Sequence, residues 1–523
     1  MRKGTQLLLV GALVSLVSFC GLGLQGAHAD ASAEPAGVYE IYPTPHKIEY
    51  SDENTTVTEK VNVYFGKEID EATENHLYDA FSLLDVLAYE NGGVSDGTDV
   101  YVGVYNSGDK ADVYARSGGV DIPAELFENN DAYVLSVREN AIVVLGKDTD
   151  AAFYGITTLL NVFEQIEGRE VRQFDAFDYS DCEYRGFIEG YYGFPWSSEN
   201  RIELMNFGSK FKTNIYIYAP KDDPYHSSNW RGLYTDRDLE AIKEEIAAGA
   251  KTKTRFAWSV HPFLSDAMTA ENYESSLTDL LNKFQQLYDV GVRQFVVSAD
   301  DISTAGLTAD DYVGVGELHK TLLNDVSEWL REKGDCYDLI FVPSAYCNRA
   351  FASLGGIDGE KYFTGLMRDL DETVEIMWTG DKICSRVSNG RFDVFANYTN
   401  GRKAFMWLNW PVNDFDTSRL TLGKGEPLDF VATEEEEAGF TGIVTNPLER
   451  AEASKLAIFA VADYCWNLNG FDMDRSYDDS FKYVERTATE ELKEICSHLT
   501  TTGNTTAAIS KNRKFIKKIS RRF

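Results

Sequence analysis

The chain has 523 residues, 43% hydrophobic and 13% aromatic, enough apolar material to fill more than one core. Its 84 acidic residues against 50 basic ones give a formal charge of -34 at pH 7. Such a field repels nucleic acid and anionic lipid and favours solubility, although a local cleft can differ from the net and still accept a polyanionic sugar.

Arg2 and Lys3 precede an apolar stretch over residues 7–24, and Ala27-His28-Ala29 stands before Asp30. This layout predicts a secretory signal peptide over residues 1–29, with the mature chain starting near Asp30. A membrane anchor is the competing reading, but Ser and Gly interrupt the stretch and no stop-transfer cluster follows it. Bulky Phe19 before Cys20 argues against a lipoprotein signal. No later segment is apolar enough to cross a bilayer, so a secreted, extracellular protein without a membrane span is expected. Six further cysteines, Cys182, Cys336, Cys347, Cys384, Cys465 and Cys496, form no CxxC pair and have no histidine in register. No metal site is expected from them, and buried free thiols are the favoured reading.

Residues 30–181 read as an α+β domain. Strands are expected at 61–65, 100–104, 132–137 and 141–145, the last two joined by a turn at Arg138-Glu139-Asn140. A helix is expected over 149–166, where Phe153, Ile156, Leu159, Leu160 and Phe163 recur at helical spacing. Nothing in this domain suggests catalysis.

From residue 182 to 471 the rhythm changes. Short β-like runs at 184–189, 213–218, 254–259, 294–298, 339–342, 374–378, 404–408 and 441–444 alternate with helical patterns such as 236–248, 273–290 and 312–333. Eight alternations predict an α/β domain of the (β/α)8 TIM-barrel class. A doubly wound open sheet competes, but no GxGxxG follows the first strand. Residues 472–523 read as a helical segment ending in a basic tail over 511–523, expected to be disordered.

Barrel enzymes carry their reactive groups at the C-terminal ends of the strands. Here those ends read Glu189-Gly190-Tyr191-Tyr192-Gly193, Tyr218-Ala219-Pro220-Lys221-Asp222-Asp223, Asp300-Asp301, Ser344-Ala345-Tyr346, Trp407-Leu408-Asn409-Trp410 with Asp414 beyond, and Thr445-Asn446. Rings beside carboxylates and amides suit a sugar, whose faces are apolar and whose rim is hydroxylated. A serine hydrolase is excluded for want of a GxSxG elbow. Adjacent aspartates recur at Asp222-Asp223, Asp310-Asp311 and Asp478-Asp479, so adjacency alone selects nothing. Position selects Asp300-Asp301, because the apolar run Phe295-Val296-Val297 leads straight into it. Loop capping or a bound cation is the competing reading. Chain neighbours fit poorly to a retaining pair standing about 5–5.5 Å apart across the scissile bond. They fit better where the nucleophile belongs to the substrate, one carboxylate holding an acetamido group while the other protonates the leaving oxygen.

With Tyr42-Pro43-Thr44-Pro45 and Gly146-Lys147-Asp148-Thr149 ahead of the barrel, Arg185-Gly186-Phe187-Ile188-Glu189-Gly190-Tyr191-Tyr192-Gly193 at its opening and Tyr218-Ala219-Pro220-Lys221-Asp222-Asp223-Pro224-Tyr225 after it, the chain resembles glycoside hydrolase family 84. These are β-N-acetylglucosaminidases that include O-GlcNAcases and bacterial enzymes historically called hyaluronidases. The resemblance implies a retaining exo-β-N-acetylglucosaminidase that needs no cofactor and acts on a β-GlcNAc-bearing glycoprotein or glycan through an oxazoline intermediate. Asp300 would polarise the acetamido group and Asp301 would be the general acid and then base. Tyr346 would bond the acetamido oxygen, and Trp407 would line the pocket for its methyl. Gly190, Lys221, Asn409, Asp414 and Asn446 would bind the sugar or its acetamido group, with Asp414 on the 4- and 6-hydroxyls. Where the family commonly has Pro-Thr-Glu-Tyr, this chain has Pro343-Ser344-Ala345-Tyr346, which keeps the ring and loses a carboxylate. Family members also usually continue through a longer C-terminal helical domain. An endo-acting hyaluronidase and a non-catalytic glycan-binding protein on the same scaffold are the alternatives.

Overall fold

A computed structural model of the chain describes residues 38–499 apart from 119, 304–305, 350–358, 419 and 432–437. The expected signal peptide and basic tail lie outside the described residues. Seven strands, β1 (Lys47–Thr56), β2 (Lys60–Phe65), β3 (Leu87–Glu90), β4 (Thr98–Val104), β5 (Asn130–Arg138), β6 (Ala141–Gly146) and β7 (Glu170–Ser180), form one mixed sheet in the order β1-β7-β5-β6-β4-β2-β3. Alternate side chains of β5 and β6 go to opposite faces. Leu135, Val137, Ile142 and Val144 pack with Leu77 and Phe81 of the helix Glu71–Ser82 and Phe153 and Ile156 of the helix Thr149–Phe163. Val134, Val143 and Leu145 pack with Ala111 and Ala115 of the helix Lys110–Ser117 on the other face. The helix Thr149–Phe163 starts where expected because the Asp148 carboxylate accepts the Ala151 N–H at 2.8 Å, an N-cap.

β1, β3, β7 and the two shorter helices are additions to the sequence reading. β1 runs along the sheet edge, half exposed, with few apolar residues. β7 is interior but interleaves charge, since Asp175 and Asp178 are buried against partners from elsewhere. Asp178 accepts from Tyr133 Oη at 2.7 Å and Trp466 Nε1 at 3.0 Å and pairs with Lys212 Nζ at 3.3 Å. That buried cluster ties the sheet to the domain that follows.

Eight parallel strands then close a barrel: β8 (Tyr184–Ile188), β9 (Ile215–Tyr218), β10 (Arg255–Val260), β11 (Gln294–Ser298), β12 (Ile340–Val342), β13 (Glu375–Trp378), β14 (Ala404–Leu408) and β15 (Phe440–Thr445). Their side chains are almost all buried, because the barrel interior covers one face and helices the other. Ile188, Ile217, Ala257, Val296, Ile340, Met377, Phe405 and Val444 fill the interior. The helices Ser198–Ser209, Asp236–Thr252, Tyr273–Asp289 and Ala309–Lys333 connect the first five strands. The α/β barrel, the smaller domain before it and the helices Met473–Val484 and Thr489–Ser497 after it agree with the expected architecture.

The cysteine reading needs a correction. Cys182, Cys347, Cys465 and Cys496 are buried, but Cys336 is half-buried and Cys384 is exposed, in the loop that leaves β13. Among the described residues no helix is long and apolar enough to cross a membrane, and no three His, Cys, Asp or Glu side chains are grouped to hold a metal ion.

Candidate active site

The strand ends converge on a cavity of about 230 Å³ whose walls include all nine residues singled out from the sequence: Gly190, Lys221, Asp300, Asp301, Tyr346, Trp407, Asn409, Asp414 and Asn446. They come from the ends of β8, β9, β11, β12, β14 and β15, so barrel closure brings together positions up to 256 residues apart, as between Gly190 and Asn446.

Asp300 and Asp301 meet different surroundings although they are chain neighbours. Asp300 is 7% exposed, and its Oδ2 pairs with Lys221 Nζ at 3.0 Å. Burial by itself would raise this carboxyl, but the Lys221 ammonium outweighs it and holds the group well below the usual carboxylate range. Asp300 is therefore an anion at neutral pH. Asp301 has φ +55°, a left-handed conformation that a short polar side chain tolerates. Its two oxygens accept from phenols on opposite walls, Oδ1 from Tyr346 and Oδ2 from Tyr192, each at 3.0 Å. Burial and the Asp301 charge push both phenols well above their ordinary value, so each is a fixed donor.

The opposite wall is an amide and indole cluster. Asn409 Oδ1 accepts from Trp407 Nε1 at 2.8 Å and from Asn446 Nδ2 at 2.9 Å. The Asn409 amide nitrogen donates to the Ile383 carbonyl at 2.8 Å. Asn446 Oδ1 in turn accepts the Gly190 N–H at 3.3 Å. Each amide is thereby oriented by donors on one side and acceptors on the other. Asp414 Oδ2 accepts the Tyr192 N–H at 3.0 Å, which sets a carboxylate at the rim on a long loop between β14 and β15.

Sequence reasoning passed over Tyr192 as a site residue, and also Trp378, Thr379, Ile383, Cys384 and Phe415, which line the walls as well. Tyr192 stood inside a quoted motif. Trp378-Thr379 follows from the strand-end rule, had it been applied to the sixth strand. Two other strand-end groups serve structure instead. Glu189 is fully buried, where its carboxylate accepts from Arg201 Nε at 2.7 Å, Tyr216 Oη at 2.7 Å and the Trp196 N–H at 2.7 Å. Asp223 accepts from Tyr218 Oη at 2.9 Å, Tyr234 Oη at 2.8 Å and the Tyr225 N–H at 2.8 Å, which orders the loop carrying Lys221. The Ser344 hydroxyl of the altered tetrapeptide donates to the Ala299 carbonyl at 2.6 Å, joining the ends of β12 and β11 beside Asp300.

A family model described as beta-N-acetylglucosaminidase matches residues 185–497, and a second, described as glycosyl hydrolase family 20, domain 2, matches residues 38–179. The chain is 29% identical over 300 residues to protein O-GlcNAcase of Rattus norvegicus, an alignment that covers 56% of this chain and 31% of that protein. It thus spans about a third of the length of the curated relatives it matches. Among solved structures, CpGH84D is similar with a TM-score of 0.80 and 45% identity, over 89% of this chain and 75% of that one. CpGH84B is similar with a TM-score of 0.76 and 26% identity, over 90% of this chain and 78% of that one.

Proposed function

Because this chain belongs to the β-N-acetylglucosaminidases of glycoside hydrolase family 84 and is a glycoside hydrolase, we propose that it removes terminal β-linked GlcNAc from glycoproteins or glycans. Anomeric configuration is retained, and the substrate's own acetamido oxygen is the nucleophile. The observation that carries this reading is the contrast between the two neighbouring aspartates, one an anion paired with a lysine and the other held between two phenols.

Asp300, ionised, accepts the acetamido N–H and strengthens the carbonyl oxygen as it attacks the anomeric carbon. Asp301, which enters this step carrying a proton, gives it to the departing oxygen, and an oxazoline forms. Asp301 then takes a proton from the water that opens the oxazoline, restoring the enzyme. When the substrate is bound, the Tyr346 hydroxyl turns its one hydrogen from Asp301 to the acetamido oxygen, and Trp407 covers the acetyl methyl. Lys221, Asn409, Asn446 and Gly190 bound the sugar, and Asp414 accepts from the 4- and 6-hydroxyls. A carboxylate committed to a free 4-hydroxyl favours exo action over cleavage inside a polymer. Retention of both aspartates beside this polar set argues against a non-catalytic lectin. Export by the 1–29 segment belongs to the same proposal.

The test is a substrate series in which acetyl hydrogens are replaced by fluorine. Each fluorine withdraws electron density from the nucleophilic oxygen, so turnover should fall steeply along the series, and azide or formate should trap no glycosyl-enzyme ester. A flat series, or a sugar adduct on either aspartate, refutes substrate assistance.

A further inference from the structure

His261 stands one residue past the end of β10, next to the strand that ends in the two aspartates, and its ring is fully buried. Its Nε2 lies 2.6 Å from the backbone carbonyl oxygen of Asp300. A carbonyl can only accept, so Nε2 carries the hydrogen. The same nitrogen is 3.5 Å from Asp300 Oδ1, the carboxylate oxygen with no hydrogen-bond partner in the structure, while Oδ2 holds Lys221. Burial lowers the affinity of the imidazole for a second proton, which keeps His261 neutral. The histidine is itself anchored, since its backbone N–H donates to the His226 carbonyl at 2.7 Å. The His226 ring in turn lies 2.9 Å from the Ser259 carbonyl through Nδ1.

The bond to the Asp300 carbonyl matters because of what comes next in the chain. Asp301 turns away with φ +55°, and that turn sends its carboxylate to Tyr192 and Tyr346 while Asp300 stays on Lys221. The peptide between the two aspartates sets the angle between their side chains. We propose that His261 is a positioning residue, the donor that fixes the orientation of the Asp300–Asp301 peptide and so aims both carboxylates. This rests on the reading that these two carboxylates react, and it does not depend on which atom is the nucleophile.

Removing the donor frees the peptide to rotate, and a carboxylate misplaced by about 1 Å can cost about 10²-fold in rate. His261→Leu should therefore lower kcat on an activated aryl N-acetylglucosaminide by about 10²-fold while KM stays within a few-fold. In His261→Gln the amide nitrogen can take the place of Nε2, and at least about tenfold of that loss should return. Should the leucine variant not fold, His261→Asn carries the same expectation, because its shorter amide cannot span to the Asp300 carbonyl. A leucine or asparagine variant within about threefold of wild-type kcat overturns the proposal, as does a glutamine variant no better than leucine. The fluorinated series on the wild-type enzyme separates this failure from that of substrate assistance. A steep series with an unimpaired leucine variant rejects the role of His261 alone, whereas a flat series with an impaired leucine variant rejects the nucleophile and upholds the positioning.

Discussion

Gly190 packs so tightly on Trp407 that a methyl group added to it would stand 2.6 Å from Cη2 of the indole and closer still to Cζ2. The absence of a side chain at Gly190 is thus what leaves room for the indole in the cavity wall, where its N–H bonds Asn409. Gly190→Ala should push the indole into the pocket. We expect a stability loss of about 1–3 kcal/mol from overpacking, read in denaturant melts, together with a raised KM. Unchanged KM would mean that the indole does not bound the sugar.

Asp301→Asn removes the proposed proton donor and leaves the acetamido group able to attack. Substrates with good leaving groups need little protonation, so an activated aryl glycoside should lose much less kcat/KM than a sugar-peptide. Equal losses on both would count against the acid role.

If Asp300 must be ionised to accept the acetamido N–H, Lys221 should set the lower pH limit of activity through it. Burial opposes ionisation of that carboxyl, and the adjacent ammonium overcomes it. In Lys221→Met burial acts without its largest counterweight, so the Asp300 pKa should rise and the ionised form disappear at higher pH. The acid limb of the kcat/KM profile should move toward neutrality relative to wild type. An unmoved limb would show that Asp300 ionisation does not limit the reaction.

His46 should make the stability of the first domain depend on pH. Burial lowers its pKa, but hydrogen bonds to Asp178 and Asp181 at 3.3 and 3.1 Å outweigh this and bring it up to about 9. A folded-state value above the unfolded one means that the stabilisation is complete below the unfolded value of about 6.5 and is lost as pH rises through about 9. The melting temperature should therefore fall by a few degrees across that window. His46→Asn should show a flatter dependence over the same range, and identical slopes for the two proteins would remove His46 as the cause.

The barrel was legible because each strand is buried on both faces and reads as a short apolar run. β11 and β14 have the expected limits to the residue. The aspartate pair could be chosen from four such pairs by that same local signal, the run Phe295-Val296-Val297 ahead of it. The edge strand β1 left no such trace, since an exposed edge has no need of apolar residues and pairs with β7 across more than 100 positions.

The nine site positions came from strand-end chemistry and family resemblance, all of it carried by the sequence. Tertiary structure alone decided what each polar group faces. Glu189 and Asp300 both follow apolar strands, yet closure of the barrel buries the first against Arg201 and turns the second toward the cavity with Lys221. It also placed Tyr192 over Asp301 and His261 under the peptide that joins the two aspartates. A one-dimensional pattern records how apolar each residue's surroundings are; the direction of a hydrogen bond between distant strand ends is set only when the sheet twists shut, because that closure brings donors from one strand within about 3 Å of acceptors on another.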